Sequence, residues 1–199
     1  TLESLSLRER TLVIFASDNG PWLQFKARGG SAGPLRGGKG TNFEGGQRVP
    51  CVVSWPGRVP SGRVSREVVT AMDVLPTLAR LASVQLNPER TVDGVDRSRL
   101  LLGQETAASE PSEFVYYTSR GALAGIRRGP WKLLLPKGKE AAFQLFHVEH
   151  DVGEKRNVAG KRVDLVKELD ARARALDAEI TAGARPVLRS DERIFEPQK

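Results

Sequence analysis

Asp18 and Asn19 stand side by side, and Lys39 follows inside a glycine-rich run. A carboxylate next to an amide oxygen offers two hard donors of the kind that Ca2+ or a similar divalent cation takes. Lys39 lies in GGSAGPLRGGKG (residues 29–40), where six glycines leave the backbone free to adopt conformations closed to other residues. An ammonium among exposed backbone N–H groups is a receptor for an anionic oxygen, and a cation at Asp18 and Asn19 would add to the same field. The three residues predict an anion site beside a metal site.

Other patterns carry weaker chemistry. His147 and His150 lie three apart with Asp151 beside them, but in a predicted strand-to-loop segment without a third fixed ligand, so a zinc site is not expected. GPLRGGK (residues 33–39) has the spacing of a phosphate-binding loop up to its lysine. Gly40 then stands where that motif needs Ser or Thr, and the flanks supply neither the strand nor the helix that it joins. Cys51, the single cysteine, sits in an apolar run and is expected to pack as a small buried hydrophobe.

The elements that must position these groups follow from apolar patterning. Residues 12–15 (LVIF) form an unbroken apolar run, as expected of a strand buried on both faces in a parallel or mixed sheet. The turn formers Asp18, Asn19, Gly20 and Pro21 end it, which puts the donor pair at the carboxyl end of the strand, where open α/β sheets place their ligands. VPCVVSW (residues 49–55) predicts a second buried strand closed by Pro56 and Gly57. Residues 65–83 carry a helical period with a break expected near Met72, and Asp73 is positioned to cap a helix running to Ala82 with Pro76 in its first turn. TLESLSLRER (residues 1–10) reads as the end of a surface helix.

A polar segment at residues 105–111 predicts a linker. After it, FVYYT, ALAGIRR, WKLLLP and residues 143–147 predict an antiparallel four-stranded meander. Residues 161–182 predict an amphipathic helix across that sheet. The expected fold class is therefore α/β: a partial mixed sheet over residues 1–104, then a small α+β subdomain over residues 105–199.

SDNGP (residues 17–21), GPLRGGKGTNFEGGQRVP (residues 33–50), WPG (residues 55–57), MDVLPTLARLA (residues 72–82) and DGVD (residues 93–96) together resemble the sulfatases of the alkaline-phosphatase-like superfamily, in particular the arylsulfatase type. QLFHVEHDVGEKRNVA (residues 144–159) is similar to a further pattern of that family, with His147 in place of an aspartate and Val152 in place of a proline. The resemblance implies sulfuric ester hydrolysis, with Asp18 and Asn19 as two ligands of a calcium or similar ion and Lys39 as the catalytic, substrate-binding contact to the sulfate group.

It also implies a formylglycine nucleophile made from a motif of Cys or Ser, any residue, Pro or Ala, any residue, Arg. That motif is expected to lie outside this chain, because Cys51 is followed by Val52 and Val53 rather than by proline and arginine. An early aspartate pair and the active-site histidines of the family are also expected elsewhere. The chain thus reads as a carboxyl-terminal fragment, inactive alone, whose partners are a sulfate ester and the missing amino-terminal half. Family resemblance implies a periplasmic, secreted or lysosomal location.

Composition leaves two other classes to weigh, a non-catalytic accessory module and a basic nucleic-acid binder. A net charge of +7 and a pI near 9.9 favour phosphate binding in general. The 31 Lys and Arg residues are scattered, however, and only 6% of residues are aromatic, so stacking platforms are scarce and no nucleic-acid partner is expected. No apolar run is long enough to span a membrane.

Overall fold

The computed structural model describes residues 1–104, 112–138 and 141–184. The expected linker at residues 105–111 lies outside that set. The described residues form two sheets joined by loops, with helices packed beside them.

The first sheet pairs β1 (Val13–Ala16) antiparallel with β2 (Cys51–Ser54), with Val13 opposite Ser54 and Ala16 opposite Cys51. Both strands form where the apolar runs predicted them. The expected burial on both faces is not found: all four residues of β1 are exposed, Phe15 at 72% and Val52 opposite it at 63%. No other described strand pairs with either edge. Cys51 is likewise exposed, which corrects its expected packing as a buried hydrophobe. Residues 1–10 form turns and a short 3-10 segment, Arg8–Arg10, in place of the expected helix end.

Between the strands lies α1 (Glu44–Gln47), and after them comes α2 (Val74–Leu81), preceded by a 3-10 turn over Ala71–Asp73 at the expected break. The helix-capping bond expected of Asp73 is replaced. Its buried carboxylate accepts the N–H of Thr70 and that of Val95, both at 2.8 Å, and so ties the 93–96 loop to the start of the helix. Leu75 and Leu78 of α2 stay largely exposed. A short α3 (Ser98–Leu101) packs against it.

The second sheet is the expected meander, β3 (Glu113–Tyr117), β4 (Leu123–Arg128), β5 (Trp131–Leu134) and β6 (Gln144–His147), paired in sequence order. Strand side chains alternate between faces, so Ile126, Leu133 and Leu145 share one face. Against them α4 (Val163–Ala182) lays Val166, Leu169 and Ala173, one stripe of its helical period. Polar links from the sheet fix its angle: Arg172 grips the Glu113 carboxylate, its shortest contact being 2.7 Å, Tyr117 donates to Asp177 at 2.9 Å, and Arg128 donates to Glu168 at 2.8 Å.

The opposite face carries Tyr116, Arg127, Lys132, Leu134 and Phe146, and it is buried too. Phe43, just before α1, packs on Leu134, Phe146 and Val148. The meander therefore completes its core with the segment that leads into α1, which a reading of it as a self-sufficient small core does not anticipate.

Candidate functional site

β1 delivers Asp18 and Asn19 to the rim of an open cavity of about 640 Å³, and the glycine-rich loop delivers Lys39 to the same cavity. Ser17, Pro21, Trp22, Arg48 and Pro50 also line it. The structure thus brings together all three site residues that the sequence singled out.

The local geometry depends on very close backbone approach. The Gly20 N–H donates to the Gly46 carbonyl at 3.2 Å, and the Lys39 N–H donates to the Pro21 carbonyl at 2.9 Å, so the Asp18–Asn19 turn and the Lys39 loop are bonded to each other. A Cβ on Gly20 would sit inside the Gly45 carbonyl, which is why this contact needs a residue without one. Gly37 and Gly40 flank Lys39 at φ +73° and +84°, a region that favours glycine.

Asp18 and Lys39 are both exposed and neither has an ion-pair partner among the described residues. The Lys39 ammonium sits 5.2 Å from the Trp22 ring centroid, a contact that orients a cation without neutralising it. Ser17 Oγ donates to the Asn19 carbonyl at 2.9 Å and so shapes the turn. Among the described residues no group of three or more His, Cys, Asp or Glu could hold a metal ion. Asp18 and Asn19 fit a hard cation by donor type but supply only part of the set of roughly 6 to 8 oxygens that calcium takes.

The nucleophile motif needs a correction. Ser54-Trp55-Pro56-Gly57-Arg58 spells Ser, any residue, Pro, any residue, Arg, so the pattern does occur within this chain. Its geometry is wrong for the cavity. Ser54 pairs with Val13 at the far end of β1, about 10 Å of strand at 3.3 Å per residue from Ala16, where β1 ends before the Asp18 turn. Its Oγ accepts a hydrogen bond from Arg8 at 3.0 Å, and it is not among the cavity-lining residues. His147 and His150 stack face to face at 4.1 Å between ring centroids, an arrangement that turns their nitrogens away from a shared ligand, and they lie outside the cavity.

Sequence reasoning missed the most buried charges. Glu44, Lys132 and Glu154 are at most 1% exposed. Lys132 Nζ lies 3.0 Å from Glu44 Oε1 and 2.9 Å from Glu154 Oε1. Arg127 donates to Glu44 Oε2 at 2.8 Å, and Tyr116 donates to Glu44 Oε1 at 3.3 Å. Burial, and then the charge of Glu44, push the Tyr116 phenol well above its ordinary range. Glu154 adopts φ +47°, a strained conformation for a residue with a side chain. A signal existed for Lys132: in WKLLLP apolar residues occupy both faces of the strand, a pattern that signals burial of the lysine between them and with it the need for a partner.

Comparisons with known proteins give the family of the chain. Residues 1–84 match the family model described as Sulfatase. Human arylsulfatase A is 36% identical over 224 residues, covering 96% of this chain and 43% of the relative. Mouse steryl-sulfatase is 34% identical over 212 residues, covering 87% of this chain and 34% of the relative. Among solved structures, the PsFucS1 sulfatase from Pseudoalteromonas sp. superposes with a TM-score of 0.78 at 26% identity over 90% of this chain and 39% of that one. Ps i-CgsB in complex with k-i-k-neocarrahexaose gives a TM-score of 0.75 at 30% identity, covering 88% of this chain and 38% of that one. The chain spans about two-fifths of the length of the arylsulfatase A relative.

Proposed function

The chain belongs to the sulfatase family, matching the carboxyl-terminal part of its relatives, and from that premise we propose that it forms one wall of a sulfuric ester hydrolase site completed by an amino-terminal sulfatase portion. The observation that carries this reading is the convergence of Asp18, Asn19 and Lys39 on one open cavity.

In this reading Asp18 and Asn19 supply two of the oxygen ligands of a calcium or similar divalent ion, which when bound polarises the sulfate group. Lys39, with no carboxylate partner among the described residues, holds a sulfate oxygen, and the Trp22 ring orients its ammonium at the cavity. Charge that develops on that oxygen during cleavage would meet a donor already in place, which is where preorganised electrostatics acts. Ser54 is excluded as nucleophile by its distance along β1, so a formylglycine would come from the amino-terminal portion. The bare apolar surfaces fit such a partner. Val13, Ile14, Phe15 and Val52 on the first sheet, and Leu75 and Leu78 on α2, are exposed to a degree that soluble domains normally cover. Residues 1–104 then belong to the catalytic core and residues 105–199 to the carboxyl-terminal subdomain.

Two measurements test this. The purified chain should show no turnover of a chromogenic aryl sulfate above an Asp18→Ala control, because Ser54, the candidate for formylglycine formation, does not line the cavity. Inorganic sulfate titrated into labelled chain should shift the amide signals of Gly20 and Lys39, and Lys39→Ala should abolish the shift. Turnover by the chain alone, or sulfate that leaves those amides unmoved, would overturn the proposal.

A further inference from the structure

Residues 36–44 carry Lys39, and both ends of that loop are held by one residue from the far side of the chain. The Glu154 carbonyl accepts Arg36 Nη1 at 2.8 Å, and Glu154 Oε2 accepts the Glu44 N–H at 2.7 Å. The Gly45 N–H donates to the Arg36 carbonyl at 2.8 Å, which closes the loop on itself. At φ +47° the Glu154 backbone presents its carbonyl and its carboxylate to the same loop.

Lys132 then fixes Glu154 to Glu44 from below, with an ammonium shared between the two carboxylates and no exposed surface. From Glu44 the chain continues through Gly45 and Gly46, which have no room for a Cβ, directly to the Gly20 hydrogen bond beside Asn19. From Glu44 to Gly20 the route runs through backbone alone. We propose that Glu44, Lys132 and Glu154 are positioning residues of the cavity: the carboxyl-terminal meander sets the separation of Lys39 from Asp18 and Asn19 through this buried network.

A network that served only as glue between the two parts would weaken the whole chain evenly when disturbed. A positioning network would release the loop first. The deciding experiment is residue-resolved amide hydrogen exchange on the full chain, comparing Glu44→Gln and the milder Glu154→Gln, which keeps an oxygen acceptor for the Glu44 N–H. Exchange at Gly20 and Lys39 should accelerate by at least about tenfold while Ile126, Leu133 and Leu145 change by less than about twofold.

The ligand arm of the test rests on the sulfate-site reading: the concentration of inorganic sulfate needed to half-shift the Lys39 amide should rise at least about threefold, a coupling of moderate size. Uniform acceleration of all these amides in Glu154→Gln, or no acceleration at Gly20 and Lys39 in either variant, would overturn the inference. Failure of sulfate to move the Lys39 amide in the unmutated chain would sink the ligand reading alone, because the exchange comparison decides the positioning role without it.

Discussion

Replacing Lys132 with methionine keeps most of the side-chain volume and removes the charge. In the unmutated chain that ammonium is fully buried between two carboxylates, at 3.0 Å from Glu44 and 2.9 Å from Glu154. The two carboxylates do not suffer equally from its loss. Glu44 keeps Arg127 at 2.8 Å and Tyr116 at 3.3 Å, whereas among the described residues the Glu154 carboxylate keeps only the Glu44 N–H at 2.7 Å. Removing one partner of a buried ion pair costs about 3–5 kcal/mol, since the remaining charge stays desolvated. With a denaturant slope of about 2 kcal/mol per molar urea, the unfolding midpoint of Lys132→Met should fall by about 1.5–2.5 M. Urea unfolding followed by circular dichroism measures this. Adding Glu154→Gln removes the stranded charge, so the double variant should recover at least about half of the loss, as expected when the penalty is an uncompensated charge. A loss below about 1 kcal/mol in the single variant, or no recovery in the double, would refute the argument that the network is a charge-balanced unit.

The chain has only two tyrosines, both in β3, and folding holds both neutral. Burial and the Asp177 hydrogen bond push Tyr117 up to about 12 from an ordinary 10.0, and burial pushes Tyr116 well above the same value. Their raised values stabilise the fold below pH 10, and that stabilisation is lost as pH climbs toward the folded-state values. A phenolate absorbance titration should show no ionisation step near 10 while the chain remains folded, and such a step would contradict the burial of β3. In hydrogen exchange, amides of residues 13–16 in the exposed β1–β2 pair should exchange faster than those of β4, β5 and α4. Equal protection would mean that the first sheet is more stable than its bare faces allow.

Patterning made the meander and α4 readable, because turn formers separate the short strand runs of the sheet and the helical period of Val166, Leu169 and Ala173 points to one face. Asp18, Asn19 and Lys39 were readable through the turn formers and glycines around them. The exposure of β1 was not readable, because apolar residues on both faces signal burial whatever covers them, and the described residues do not cover Phe15. Glu44 was hidden for another reason. It stands among glycines in a loop-like stretch, where a carboxylate is ordinarily solvated, and only its partners far along the chain make it part of a core. The Ser54 motif shows the reverse case, a pattern satisfied in sequence that geometry sets aside.

The Glu44 N–H meets its acceptor 110 residues further along the chain. At a synthesis rate of about 5–20 residues per second, about 5–20 s separate the emergence of Glu44 from that of Glu154. Over that interval neither end of the Lys39 loop has its anchor, so the cavity can take its final shape only after Glu154 has emerged. Contacts this distant in sequence also slow folding after release. The wall that carries Asp18 and Asn19 is therefore completed only once a residue made 110 positions after Glu44 has arrived.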